Sequence, residues 1–186
     1  MIPYDKIQES CVYGHFNVDE SASYTLNEGD KLKAPWYYVY TNRKILLYVD
    51  QNGPVKIQYQ PPNGILLIKR EIGENQSKWQ VWVQSDDLNF GVPVSNFCSP
   101  TLRYDLPKPK HTSKWTPEKA IYTAEYDNAD IITEIFVPSD KATVCMKTTI
   151  VNKSGKKMDF CVTPSVFPYV NILSKNLNQD LYPYHQ

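Results

Sequence analysis

The chain has 186 residues, 20 of them basic and 20 acidic, so its formal charges cancel. Apart from Lys108, Lys110 and Lys114, spaced among prolines, like charges form no block, which argues against a nucleic-acid backbone or an anionic membrane as partner, since both recruit a concentrated basic face. The length suits one domain with a substantial core, and no apolar run approaches the span of a bilayer.

Residues 1–13 hold charges and no apolar stretch of the signal-peptide kind, so a cytoplasmic location is expected. Helical signals are nearly absent: 14 prolines are scattered along the chain, and no window keeps apolar residues at i, i+3, i+4 and i+7 across several turns. Strand signals are plentiful. Residues 44–50 form a compact apolar run, the turn-prone Gln51-Asn52-Gly53-Pro54 closes it, and residues 55–59 follow, which predicts a hairpin. Pro61-Pro62-Asn63-Gly64 makes the next turn, and residues 65–68 read as a buried run. In residues 79–84, Trp79, Val81 and Val83 alternate with Gln80, Trp82 and Gln84, a period that predicts a strand with two unlike faces.

Residues 88–117 are the least regular region, rich in Pro, Ser and Asn, and a long loop in a compact domain is either functional or disordered. The interspersed Phe90, Phe97, Tyr104 and Trp115 argue against plain disorder. Residues 120–126 and 131–137 then flank Asp127-Asn128-Ala129-Asp130 as a hairpin. Residues 143–151 and 156–163 flank Asn152-Lys153-Ser154-Gly155 as a second, longer one, with Gly155 able to take the positive φ of the bend. Successive hairpins with short polar turns imply an all-β fold of antiparallel sheets stacked face to face. The β-sandwich domain is expected over residues 1–171, with 172–186 as a tail or linker towards a missing region. Beyond Phe167 no closing strand is visible, and unpaired strand edges are something natural proteins avoid, so more chain or a partner is expected there.

Cys11, Cys98, Cys145 and Cys161 lie far apart and form no CxxC pair, so neither a zinc site nor a redox motif is indicated. In the second hairpin Met146 would pair with Cys161 and Cys145 with Val162, which sets the two thiols out of register. The Asn-x-Ser triplets at Asn75 and Asn152 read as chance in a chain that is not exported.

Tyr13-Gly14-His15-Phe16-Asn17-Val18-Asp19, then Tyr24-Thr25-Leu26, then Ala34-Pro35-Trp36-Tyr37-Tyr38, resemble the opening of the inverting disaccharide and oligosaccharide phosphorylases typified by cellobiose phosphorylase. The order continues through residues 45–59, where the family's Gly-rich hairpin is reduced to Gly53, through the strand ending at Asp86-Asp87, and through Ile135-Phe136-Val137-Pro138 and Val151-Asn152-Lys153-Ser154. The resemblance spans roughly residues 13–171, and the segments Gln51-Asn52-Gly53-Pro54 and Tyr40-Thr41-Asn42-Arg43 look closer to the β-1,3-glucan-acting relatives. It implies an antiparallel supersandwich of the galactose mutarotase kind, which in those enzymes precedes an (α/α)6 catalytic barrel holding the general acid and the phosphate site. It also implies a β-glucan or disaccharide substrate, a homodimer, and neither metal nor organic cofactor. Only a supporting role carries over to this chain, and no catalytic residue does.

Phosphorolysis with inversion needs one acid and a basic phosphate clamp. Asp86, Asp87, Glu125, Asp127 and Asp130 stand near strand ends, where acidic residues are usually solvated. A mutarotase would need a His and a Glu over one sugar; His15 reads as packed or hydrogen-bonded and His111 as exposed in the irregular loop, and no pairing emerges. The 14 Tyr and 4 Trp offer more, because such rings serve both packing interfaces and stacking on sugars. Trp36 and Tyr38 lie in a consecutive aromatic run, Trp82 has the opposite parity to Trp79, and Trp115 ends the irregular loop. These four are the candidate sugar contacts, with core or interdomain packing as the competing role. Two functional readings follow: an accessory domain of a phosphorylase, and a free-standing carbohydrate-binding β-sandwich.

Overall fold

The computed structural model describes residues 14–17, 23–27, 36–60, 64–70, 77–88, 91–97 and 108–172. Among them no α-helix occurs, and the strands, numbered in chain order, form three antiparallel sheets. The first has the order β1 (Gly14–Phe16), β2 (Tyr24–Leu26), β9 (Lys110–Trp115), β10 (Lys119–Glu125), β11 (Ala129–Phe136) and β12 (Cys145–Asn152). The second runs β14 (Asn171–Ile172), β6 (Ile65–Lys69), β5 (Gly53–Tyr59), β4 (Ile45–Asp50) and β3 (Tyr38–Thr41). The third is β13 (Cys161–Val166), β7 (Trp79–Gln84) and β8 (Val94–Ser95). No helix of the described residues is long and apolar enough to cross a membrane.

The six-stranded sheet is the common layer. Alternation along β10 and β11 buries Ala120, Tyr122 and Ala124 of one strand and Ala129, Ile131, Thr133 and Ile135 of the other, because every second side chain points to the same face. One end of that face packs with Tyr40, Ile45, Leu47, Val49, Ile57 and Ile68 of the five-stranded sheet. The other end packs with Val81, Val83 and Val94 of the three-stranded sheet. The result is a β-sandwich whose second layer is shared by two sheets.

Polar groups inside the layers are paired across them, as burial requires. Asn96 Nδ2 donates to Thr133 Oγ1 at 2.9 Å, and its Oδ1 accepts from the Val81 amide at 2.9 Å, so one side chain ties two sheets. The Tyr122 hydroxyl donates to the Asp50 carbonyl at 2.8 Å. Arg70 and Asp50 form a buried ion pair beside it. Burial pushes the Asp50 carboxyl up from its ordinary range while the Arg70 guanidinium opposes that shift.

The hairpin expected around Gln51-Asn52 forms between β4 and β5, with Gly53 at φ 93°. Phe97 packs on that glycine so closely that an added Cβ would lie 2.9 Å from the ring. The β10–β11 hairpin also forms, with the Tyr126 amide donating to the Ala129 carbonyl at 2.9 Å. Residues 65–68 form a strand but alternate in burial, with Leu66 and Ile68 inward, instead of being buried throughout.

Three expectations are corrected. The segments around Asn152 do not make a hairpin: β12 pairs with β11, whereas β13 crosses to pair with β7. The turn chemistry is present, since Asn152 Oδ1 accepts from the Ser154 amide and Gly155 takes φ 71°, yet the chain leaves the bend for another sheet. Within the irregular region, residues 110–115 are a full strand of the main sheet, carrying a half-buried His111 that was expected in a loop. A short strand also follows Phe167, as Asn171 and Ile172 pair with Leu66 and Ile65. Cys145 and Cys161 are free thiols on different sheets, so the register argument between them does not apply. Cys11, Cys98, Asn75, Pro61, Pro62, Asn63, Phe90, Tyr104 and the tail beyond residue 172 lie outside the described residues.

Candidate functional site

A cleft of about 590 Å³ opens where the edge strand β3 meets the β9–β10 turn and the end of β11, a size suited to a small ligand. Its walls include Tyr38, Tyr40, Thr41, Pro117, Lys119 and Phe136. Alternation along β3 turns Tyr40 into the core and leaves Tyr38 half-buried beside it, with ring centroids 4.8 Å apart and planes tilted by 41°. The Tyr40 hydroxyl donates to the Thr116 carbonyl at 3.0 Å and so joins the two walls. Burial holds the Tyr40 phenol far above its ordinary range, so it remains a neutral donor.

The rim is fixed by side chains that cap turns. Thr116 Oγ1 accepts from the Glu118 and Lys119 amides at 3.3 and 3.1 Å, which shapes the turn carrying Pro117. On the other side Asn42 Oδ1 accepts from the Lys44 and Ile45 amides, allowing Arg43 a φ of 69°. Asn42 Nδ2 reaches across to donate to the Lys141 carbonyl at 2.7 Å, anchoring the β3–β4 turn on the segment after β11. Both walls are thereby pre-formed.

Charge at the mouth is mixed. Glu118 is exposed, and Lys119 pairs with Glu134, which also lies 3.4 Å from Lys147. The hydrogen bond from Lys119, and then that from Lys147, holds the Glu134 carboxyl below its usual range. The cleft therefore carries both signs beside the aromatic rings of Tyr38 and Phe136.

The four aromatic candidates separate. Tyr38 lines the cleft. Trp36 is 40% exposed and stands against Tyr24, 5.5 Å between centroids, and Phe16 also contacts Tyr24 at 4.9 Å. Trp115 is 4% exposed and belongs to the core, its ring parallel to Tyr24 within 13°; it has no face left for a sugar. Trp82 is half-buried on the outer face of β7, between Thr163 and Ser95, away from the cleft-lining residues. Tyr40, Phe136 and Lys119 were not among the sugar-contact candidates read from sequence. Alternation through Tyr38-Val39-Tyr40 carried a signal for the first of them, whereas nothing local marks the other two as neighbours of β3.

The acidic candidates stay at turns. Asp86, Asp87 and Asp127 are exposed, Glu125 lies 3.8 Å from Lys110, and Asp130 pairs with Lys153 at 2.5 Å. His15, expected to be packed, is exposed on β1. Among the described residues no three His, Cys, Asp or Glu side chains cluster in a way that would hold a metal ion.

A different feature lies at the side of the sandwich. Val162 is paired with Val83 and Val166 with Trp79, and directly paired residues share a face, so both valines point to the core side of their sheet. Yet Val162 is 48% and Val166 56% exposed, while Val83 is fully buried. Phe167, Tyr169 and Val170 continue the exposed apolar stretch. Opposite, Met146 and Ile150 of β12 are only partly covered. Among the described residues the core is thus open along the side bounded by β12 and β13. No family model and no curated protein matches the chain.

Proposed function

We propose that this chain is a supporting β-sandwich of an inverting carbohydrate phosphorylase, of the kind typified by cellobiose phosphorylase, and that it positions a helical catalytic barrel without supplying a proton donor. The observation that carries this reading is the open side between β12 and β13, where Val162 and Val166 extend the core face with no cover among the described residues. A large exposed apolar patch marks a contact surface. The order of motifs from Tyr13 to Asn171 supports this reading through the resemblance, which implies the supersandwich type, a β-glucan or disaccharide substrate, a cytoplasmic setting and a homodimeric assembly. The scattered placement of the acidic side chains fits a supporting role.

The second reading, a free-standing carbohydrate-binding sandwich, is favoured by the aromatic cleft at Tyr38. The two are separated by assaying sugar phosphate release from cellobiose, laminaribiose and longer glucans with inorganic phosphate. On the first reading the purified chain is inactive and turnover arises when an (α/α)6 catalytic barrel of the family is supplied. Turnover by the chain alone overturns both readings, and a barrel indifferent to the chain favours the second.

A further inference from the structure

We infer that the free edge of β12 joins the same edge of a second copy of this chain, so that two six-stranded sheets run on as one across a two-fold axis. The inference stands on strand register and on which backbone groups face outward. The exposed side chains of β13, altered below to test the supporting role, are a separate surface.

Among the described residues β12 has β11 on one side and no strand on the other. It is the longest edge strand of the three sheets, with 8 residues against 6 in β13 and fewer in β1, β3, β8 and β14. The Lys153 amide donates to the Asn128 carbonyl at 2.8 Å, one step beyond the paired Ala129 and Asn152. That contact fixes the phase, because each residue of an antiparallel strand sends both backbone groups to the same side and its neighbour sends them to the other. Residues 145, 147, 149 and 151 therefore bond to β11, and Met146, Thr148 and Ile150 turn their N–H and C=O groups to the open edge. On β13 the Phe167 amide donates to the Lys78 carbonyl at 2.7 Å, and the same phasing puts Pro164 among the outward residues. Proline has no N–H to give. One edge of the open side is thus blunted, and the other is a ready template for a strand.

Register selects the second copy as the occupant. Set antiparallel to itself about Thr148, β12 places Met146 opposite the second copy's Ile150 on the core side, with Thr148 opposite its own counterpart. Met146 and Ile150 are the partly covered residues at the open end of the core, so each copy closes the other. On the outer face Lys147 meets Thr149 and Cys145 meets Val151. Apolar residues then face apolar ones and no like charges meet, as favourable cross-strand pairs require. Centring the pair one residue earlier sets Lys147 against its own counterpart, and one residue later sets Met146 against Asn152. The Thr148 register avoids both.

The test is sedimentation equilibrium of the 186-residue chain, which should show a reversible dimer at micromolar chain concentration. Thr149 is exposed, so charges can be placed there without disturbing the core. Thr149→Glu sets a carboxylate opposite the second copy's Lys147 and should tighten the dimer about fivefold, and Thr149→Lys should weaken it by about as much. Both differences should shrink at high salt. Val151→Cys supplies a second readout. Residues 145 and 151 face each other as a pair without mutual backbone bonds, about 4.5 Å apart at Cα, within reach of a disulfide. Near opposite ends of one extended strand, they cannot meet within a single chain. Mild oxidation of the Val151→Cys variant should therefore yield a link between residues 145 and 151 of two copies, mapped by mass spectrometry. The inference is overturned by a chain that stays monomeric at millimolar concentration, by a dimer indifferent to the charge at residue 149, or by the absence of that link. A monomeric chain on which the barrel still depends for turnover sinks this inference and leaves the supporting role standing.

Discussion

The Tyr40 hydroxyl donates to the Thr116 carbonyl at 3.0 Å, joining an edge strand of one sheet to a turn of the sheet opposite. Their separation of 76 residues in sequence means that the cleft wall exists only once both layers have assembled. Tyr40→Phe keeps the ring in the core and removes the donor. It should destabilise the protein by about 0.5–1.5 kcal/mol, the net worth of one hydrogen bond, as read from the midpoint of urea unfolding at unchanged slope.

Asn96 is fully buried and joins Val81 to Thr133. Asn96→Leu fills similar space but leaves the Val81 amide without this partner. A loss of about 1–3 kcal/mol is expected, again from urea unfolding, and Asn96→Asp should not restore it, since the Thr133 contact then lacks its amide donor.

Arg70→Met isolates the buried Asp50 carboxylate, which the ion pair now compensates. Breaking one side of a buried pair costs about 3–5 kcal/mol. With Arg70 gone, burial is opposed only by the backbone amides that Asp50 accepts from, Asn52 among them, and pushes its carboxyl further up, so the folded state takes up a proton more readily than the unfolded chain. The deficit relative to the parent should therefore be largest at neutral pH and shrink in acid, as measured by denaturation from pH 4 to pH 7. Asp50→Asn in the same background should recover part of it at neutral pH.

Glu134 carries the opposite sign. Its folded carboxyl is held below the ordinary range by Lys119 and Lys147. The stability it contributes is complete above the unfolded value of about 4.3 and is lost as pH falls through the lower folded value. Glu134→Gln should thus cost under about 1 kcal/mol at neutral pH, as partly exposed pairs do. The difference should vanish in strong acid and diminish at high salt.

Much of the fold was legible because its signals are local. Alternation fixed the burial of Val81 and Val83, and Asn52-Gly53 marked a real hairpin. What alternation cannot tell is which strand a strand pairs with. The bend at Asn152 has every feature of a hairpin turn, including a glycine at positive φ, yet β13 pairs with β7 of another sheet, which sets Val162 beside Val83. Residues 110–115 were unreadable for another reason: they read Lys-His-Thr-Ser-Lys-Trp, and the inward positions are held by Ser113 and Trp115, so no apolar period appears. The same strand took Trp115 into the core and out of the sugar-contact group. Tyr38 was legible as a candidate, but its companions Phe136 and Lys119 come from β11 and β10 and meet it only through tertiary packing.

The most direct measurement of the supporting role is sugar phosphate formation from laminaribiose and inorganic phosphate by three samples: the chain alone, an (α/α)6 barrel of the family alone, and both together. The expected result is turnover that requires both and falls when Val166→Asp or Phe167→Asp alters the open side. Phosphorolysis by the chain alone, or a barrel whose rate is unchanged by the chain, contradicts it.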